Sequence, residues 1–182
     1  MWVAASFDKF LDVGDGLSLA QKLPYLFVMK IRPFEPADAP AFASLFHASV
    51  REAAAKDYSA DQIAAWSPSP PESATFVRQA EGRIFLVAEN DAGEPVGYAD
   101  LELDGHIDHL YCRPDVVGSG VGSALYSALE ALARERGMPS LFVEASEAAR
   151  RLFERHGFKI ESRNDFEIAG VPIHNYRMSK SI

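Results

Sequence analysis

The chain has 182 residues and a formal net charge of −8, from 18 Lys and Arg against 26 Asp and Glu. Hydrophobic residues make up 48% and charged residues 24%, the balance of one globular domain and not of a disordered or membrane-embedded chain. The surplus of acid argues against coating a nucleic-acid backbone. The single cysteine, Cys112, leaves no internal disulfide or Cys-rich zinc site, and no apolar run reaches the ~18–20 residues that span a bilayer. The expectation is a cytoplasmic protein without nucleic-acid or membrane partners.

Residues 1–28 read as an N-terminal extension. Trp2, Val3, Ala4 and Ala5 are apolar, but Asp8, Lys9 and Asp12 break the run before it resembles a secretory signal. Residues 17–23 have the length of a short helix stopped at Pro24, and 25–28 are strand-like. Met29 directly precedes Lys30, so the extension is expected to be a non-native start or a dispensable arm; packing against the core or a partner chain is the alternative. A single domain is expected over 29–182.

Within that domain, 30–34 read as a strand stopped by Pro33. Asp38 stands where it can cap a helix over 38–56, with Phe42, Leu45, Phe46 and Val50 at helical spacing. A second helix runs over 59–66, a proline loop follows at Pro68, Pro70 and Pro71, and a third helix covers 73–80. Then the period changes. Residues 84–88 form a buried strand, Asn90 to Gly93 a turn, and 96–103 its hairpin partner. Asp104-Gly105 turns the chain into a third strand over 106–112. A helix begins near Gly118–Gly122, carries Leu125, Leu129 and Leu132 on one face and ends at Gly137. A strand over 141–145, a helix over 147–156 and two strands around Gly170 complete an α/β fold, α+β in type, with one mixed sheet.

The glycine-rich junction between the third strand and the long helix is the most informative stretch. Gly118, Gly120 and Gly122 alternate there. Residues without Cβ let a ligand approach the backbone, and the first turn of a helix offers unpaired N–H donors at a positive dipole end. Together they suit a pyrophosphate. A P-loop would need Lys after the spacer, where Gly122-Ser123-Ala124 has none. The dinucleotide fingerprint G-x-G-x-x-G fails as well, since the sixth position is Ser123 counted from Gly118 and Leu125 counted from Gly120.

The stretch 106–125 resembles motif A of the GNAT superfamily of N-acetyltransferases, whose pattern is Gln/Arg-x-x-Gly-x-Gly/Ala. Gly120-Val121-Gly122 matches its glycines, and Val117 stands at the Gln/Arg position. Residues 141–158 resemble motif B, and Phe153-Glu154-Arg155-His156-Gly157-Phe158 matches the common Tyr-Glu-Lys-x-Gly-Phe ending. The resemblance implies the GNAT acyl-CoA N-acyltransferase fold, a twisted, mostly antiparallel sheet flanked by helices. It implies acetyl-CoA as co-substrate, without a metal. Its pantetheine would pair with Leu110, Tyr111 and Cys112, and its pyrophosphate would rest on Val117, Gly118, Ser119, Gly120, Val121, Gly122 and Ser123. Ser146 stands where the family often has a cofactor-contacting Asn, and Phe153 where it has an acidic Tyr. Arg150, Arg151, Arg155 and Lys159 are candidates for the CoA phosphates, or a solvated face paired with Glu147 and Glu154.

The resemblance further implies direct attack of a primary amine, on a small molecule or a peptide N-terminus, through a tetrahedral intermediate. An oxyanion donor is expected in the backbone near Leu110. Strand alternation puts His106 and Asp108 on one face, four and two residues before the cofactor-pairing segment, where related enzymes carry their base. These two are the catalytic candidates; His109 reads as a second-choice or core histidine. Phe153 cannot donate a proton, so Tyr111, Tyr126, Tyr176 or water would replace it, or the thiolate leaves unassisted. His47, Glu52, Lys56, Tyr58, Asp61 and Trp66, with the tail around Ile173 to Tyr176, are expected to wall the acceptor site. The alternative is an acyl-CoA-binding module or sensor of this fold without efficient turnover. The resemblance also leaves a homodimer open.

Overall fold

The computed structural model describes residues 29–182; the helix and strand expected over 17–28 lie outside the described residues. Lys30–Pro33 (β1) pairs antiparallel with Ile84–Glu89 (β2). β2 pairs with Pro95–Leu101 (β3), and β3 with Leu110–Cys112 (β4). These four strands form one sheet in that order. Ser140–Ala145 (β5), Val171–Ser181 (β7) and Lys159–Ile168 (β6) form a second, in the order β5-β7-β6. The pattern thus gives the fold class, but the single sheet expected from it is two. Among the described residues the backbone link between them is a parallel bridge between His106 and Phe142.

Both faces of the first sheet are covered. Phe85, Val87 and Tyr98 pack under the helices Ala39–Ala48 (α1) and Ser73–Gln79 (α3) with Phe42, Leu45 and Phe76. Phe42 stacks on Tyr98 with centroids 4.2 Å apart. On the opposite face, Leu86, Val96 and Leu101 meet Leu125, Tyr126 and Leu129 of the helix Val121–Glu135 (α4). A strand buried on both faces has no polar alternation, as the run in β2 shows. Ala60–Trp66 (α2) and Glu147–Arg155 (α5) flank the second sheet.

Two local expectations are corrected. Asp38 makes no cap to α1. Its carboxylate takes a bidentate grip from Arg32 at 2.7 and 2.8 Å, and the Glu35 N–H at 2.8 Å. The helix expected over 38–56 ends at Ala48. It continues as a π turn, Ser49–Ala53, and a 3₁₀ turn, Ala54–Lys56. Such π turns recur at functional sites, and this one borders the groove described below.

The third correction matters most. The strand expected over 106–112 exists only from Leu110. Gly105 has a φ of +93°, and a Cβ there would lie 2.4 Å from the Ser140 carbonyl oxygen, so the chain can pass this close to β5 only with glycine. Ile107 N–H then bonds Phe142 O at 2.9 Å, which takes the segment across to the second sheet. It returns at His109, whose N–H is taken by the Asp100 carboxylate at 2.7 Å. An aspartate side chain here replaces a rung of the ladder.

Candidate active site

Past the His106–Phe142 bridge the two sheets part, and β4 is left as an open edge. Asp100 N–H bonds His109 O and Arg113 N–H bonds Val96 O, so by alternation Leu110 and Cys112 turn their backbone groups to the open side. A groove of about 910 Å³ runs along this edge. Its walls are the π turn, β4, the glycine loop and one face of α5. Gly120 caps α4 with a φ of +99°, and Cβ atoms at Gly118 and Gly120 would project into open space. The first N–H groups of α4 therefore face the groove without competing side chains.

The predicted cofactor residues divide. Leu110, Tyr111, Cys112, Val117, Gly118, Gly120, Gly122, Ser123 and Ser146 line the groove. Val117, in the place of a polar residue, is 60% exposed. Ser119 instead donates its hydroxyl to Val116 O at 2.7 Å, and Val121 is buried beneath β3. Phe153 is not brought to the groove. It is 1% exposed, packed edge-on against Tyr126 and Phe158 in the core. Ser146 caps α5, accepting from Ala149 N–H at 3.3 Å.

Of the predicted basic cluster, Arg151 and Arg155 line the groove. Arg151 is already held by Asp57, while Arg150 turns to Glu147 and Glu154. Lys159 stands on β6, outside the groove lining. Lys56, expected at the acceptor, lines this groove too. Burial pushes the Cys112 thiol up to about 12, which removes it as a nucleophile near neutral pH.

A second cavity, of about 270 Å³, opens between the parted sheets. His106 and Asp108 both line it, as predicted from their shared face, although the segment is not a strand. Tyr58 and Trp66 close it from α2 and the turn before it, and Ile173, His174 and Asn175 from β7. Trp66, Tyr111 and Ser146 line both cavities and form their common wall. His47 is absent from that lining, its Nδ1 2.8 Å from Ser67 Oγ, and Asp61 is exposed elsewhere on α2.

Glu144 is the residue the sequence reading did not assign to this site. Its Oε2 accepts from His106 Nε2 at 2.7 Å, and Arg177 holds its other oxygen. Burial opposes its charge, but the bonds from Arg177 and His106 outweigh it and keep the carboxyl below its usual range. The available signal was an acid at the one exposed position between the buried Val143 and Ala145. His106 also stacks on Phe142 with centroids 4.8 Å apart.

Asp108 is anchored from behind. Arg83 bonds Asp108 Oδ2 at 3.0 Å and the fully buried Asp100 at 2.7 Å, and His109 Nδ1 donates to Asp100 at 3.0 Å. Burial acts against both charges, yet the mutual hydrogen bond and attraction lower Asp100 and raise His109. His109 is thus a satisfied core histidine. Asp100, Asp108 and His109 are close enough to hold a metal ion, but Arg83 already lies between the two carboxylates where a cation would sit.

Among the tyrosines predicted as substitute acids, Tyr126 is buried and bound by Lys180 at 3.0 Å, and Tyr176 donates to Glu147 at 2.6 Å. Tyr111 alone of the three lines the cavities. Among the described residues no helix is long and apolar enough to cross a membrane.

Comparison with known proteins gives the family and the fold. Residues 54–180 match the model of an acetyltransferase (GNAT) domain. The N-acetyltransferase YafP of Escherichia coli (strain K12), described as uncharacterised, is 30% identical over 150 residues, 82% of this chain and 94% of that protein. A Rhodopseudomonas palustris structure described as a GCN5-related N-acetyltransferase (aminotransferase, class II) superposes with a TM-score of 0.79 at 38% identity, covering 87% of this chain and 99% of that one. A phosphinothricin acetyltransferase from Sinorhizobium meliloti, solved with acetyl-CoA, shares the fold at a TM-score of 0.67 and 19% identity over 85% of this chain and 88% of its own. The chain belongs to the GNAT family of acetyltransferases.

Proposed function

We propose that the protein transfers the acetyl group of acetyl-CoA to a primary amine, with the larger groove holding the donor and the smaller cavity the acceptor. The observation that carries this reading is the wall shared by the two cavities. Trp66, Tyr111 and Ser146 bound both, so a thioester at the end of β4 lies beside an amine among His106, Asp108 and Glu144.

The groove suits the donor in shape and charge. The open edge of β4 offers amide groups for an added strand. The bare N–H groups at Gly120–Gly122 suit a pyrophosphate, and Lys56 and Arg155 make no ion pair among the described residues. Val121 supports the loop from below, and Ser119 fastens it by its bond to Val116.

In the reaction the amine nitrogen attacks the thioester carbonyl carbon, the C–S bond breaks and CoA leaves as its thiol. An alkylammonium must first lose a proton. The His106 ring receives it, and the Glu144 carboxylate hydrogen-bonded to that ring steadies the resulting imidazolium. Asp108 draws the ammonium in. The backbone N–H of the Leu110 region faces the developing oxyanion. As the tetrahedral intermediate collapses, the proton shed by the attacking nitrogen goes to the departing sulfur, a transfer that Tyr111, in the wall shared by the two cavities, relays.

The test is release of CoA thiol from acetyl-CoA with an amine panel, together with direct binding of acetyl-CoA. Amine-dependent release supports the reading. Tight binding with no turnover of any amine would leave a binding module instead.

A further inference from the structure

The smaller cavity restricts what kind of amine can enter. At about 270 Å³ it falls below the ~300–1,000 Å³ of pockets that engulf drug-sized ligands. Its hydrocarbon and phenol or indole rings come from Tyr58, Trp66, Tyr111 and Phe166, and its aliphatic wall from Ile168 and Ile173. Its fixed charges are two carboxylates, Asp108 and Glu144, and among the described residues no Lys or Arg lines it.

The cations behind these carboxylates do not reverse the sign. Arg83 is shared by Asp100, Glu102 and Asp108. With His109 charged, that cluster still holds one negative charge in excess. Arg177 is likewise shared by Glu144 and Glu161. The two lining histidines are engaged as well, His106 with Glu144 and His174 with Glu147 at 3.4 Å. Asp108 Oδ1 takes no hydrogen bond among the described residues, so it is free for an incoming donor.

We propose that the acceptor is a small alkyl- or arylalkylamine with no carboxylate on the amine-bearing carbon. An ammonium entering beside Asp108 and Glu144 meets opposite charge and aromatic faces. An α-amino acid brings its own carboxylate within a few ångströms of the same two acids, with no guanidinium or ammonium among the described lining residues to receive it. Like charges placed together at a binding site are strongly disfavoured. This inference rests on the N-acetyltransferase reading above.

The experiment uses matched pairs differing only in the α-carboxylate: tyramine with tyrosine, phenethylamine with phenylalanine, and isoamylamine with leucine. Each is assayed with saturating acetyl-CoA, whose own binding is measured separately. The decarboxylated member should show kcat/KM higher by about 100-fold or more. Tyrosine methyl ester, which keeps the bulk but not the charge, should behave like tyramine. Glu144→Gln should lower turnover yet narrow the tyramine-to-tyrosine ratio by about tenfold. Equal or preferred use of the amino acids overturns the proposal, as does an ester as poor as tyrosine. Acetyl-CoA binding without acetylation of any amine in the set overturns the acceptor class while leaving the donor groove intact. Failure to bind acetyl-CoA overturns the transferase reading itself.

Discussion

Glu144 Oε2 lies 2.7 Å from His106 Nε2, across the line where the two sheets separate. The two residues are 38 positions apart, and the bridge between His106 and Phe142 brings them together. The bridge that joins the sheets therefore also assembles the proposed base. His106→Ala should lower kcat with the best amine by about 100-fold, the lower end of what a positioned base supplies, while acetyl-CoA affinity stays unchanged. Glu144→Gln should cost about tenfold. Measured acetyl-CoA dissociation constants beside steady-state rates check this; a His106→Ala enzyme with full kcat would remove the base.

The Asp100–His109 pair makes stability depend on pH in a defined window. The raised His109 contributes fully below its ordinary value of ~6.5 and loses that contribution as pH climbs through the raised one. The lowered Asp100 contributes fully above ~4 and loses it as pH falls through its own lowered value. The pair is thus strongest between about pH 4 and 6.5. His109→Ala should destabilise by roughly 2–3 kcal/mol, since Arg83 still satisfies part of the buried carboxylate. Urea unfolding from pH 5 to 9 should show the difference between the variant and the parent shrinking at the alkaline end.

Gly120 separates strain from obstruction. Its φ of +99° penalises any side chain, by about 1–2 kcal/mol, although a Cβ there meets nothing within 4 Å. Gly120→Ala should carry that strain and still bind acetyl-CoA. Gly120→Glu should carry the same strain and lose binding, because its carboxylate occupies the place proposed for the pyrophosphate. Calorimetric titration of both variants distinguishes the two effects.

Lys56 and Arg155 are the groove cations without ion pairs among the described residues. Lys56→Ala or Arg155→Ala should each weaken acetyl-CoA binding by about two- to tenfold, and the loss should shrink as salt screens the phosphates. Arg150→Ala, whose guanidinium is committed to Glu147 and Glu154, should leave that affinity unchanged.

What was legible in the sequence was local. Alternating glycines before an amphipathic helix marked the groove, because backbone freedom and a helix start are both written in neighbouring residues. β2 and β3 were legible from a buried run and a turn. The failures depended on distant partners. Asp38 had a helix-cap position, but Arg32 and Glu35 claimed its carboxylate. Residues 106–109 alternate like a strand, but Gly105 lets them cross to Phe142 and Asp100 takes the His109 N–H. Phe153 stood at a motif position, yet Tyr126 and Phe158 bury it. Glu144 became a site residue only through contacts with His106 and Arg177.

The central claim is that the groove along β4 holds acetyl-CoA. Thermal unfolding of the full chain with acetyl-CoA, beside ATP and NAD at equal concentration, tests it most directly. At 100 times the dissociation constant a bound ligand adds about 2.7 kcal/mol, which for a domain of this size raises Tm by roughly 5–10 °C. The account predicts that rise with acetyl-CoA and none of comparable size with ATP or NAD. An unchanged Tm at millimolar acetyl-CoA, or a larger shift with either nucleotide, would contradict it.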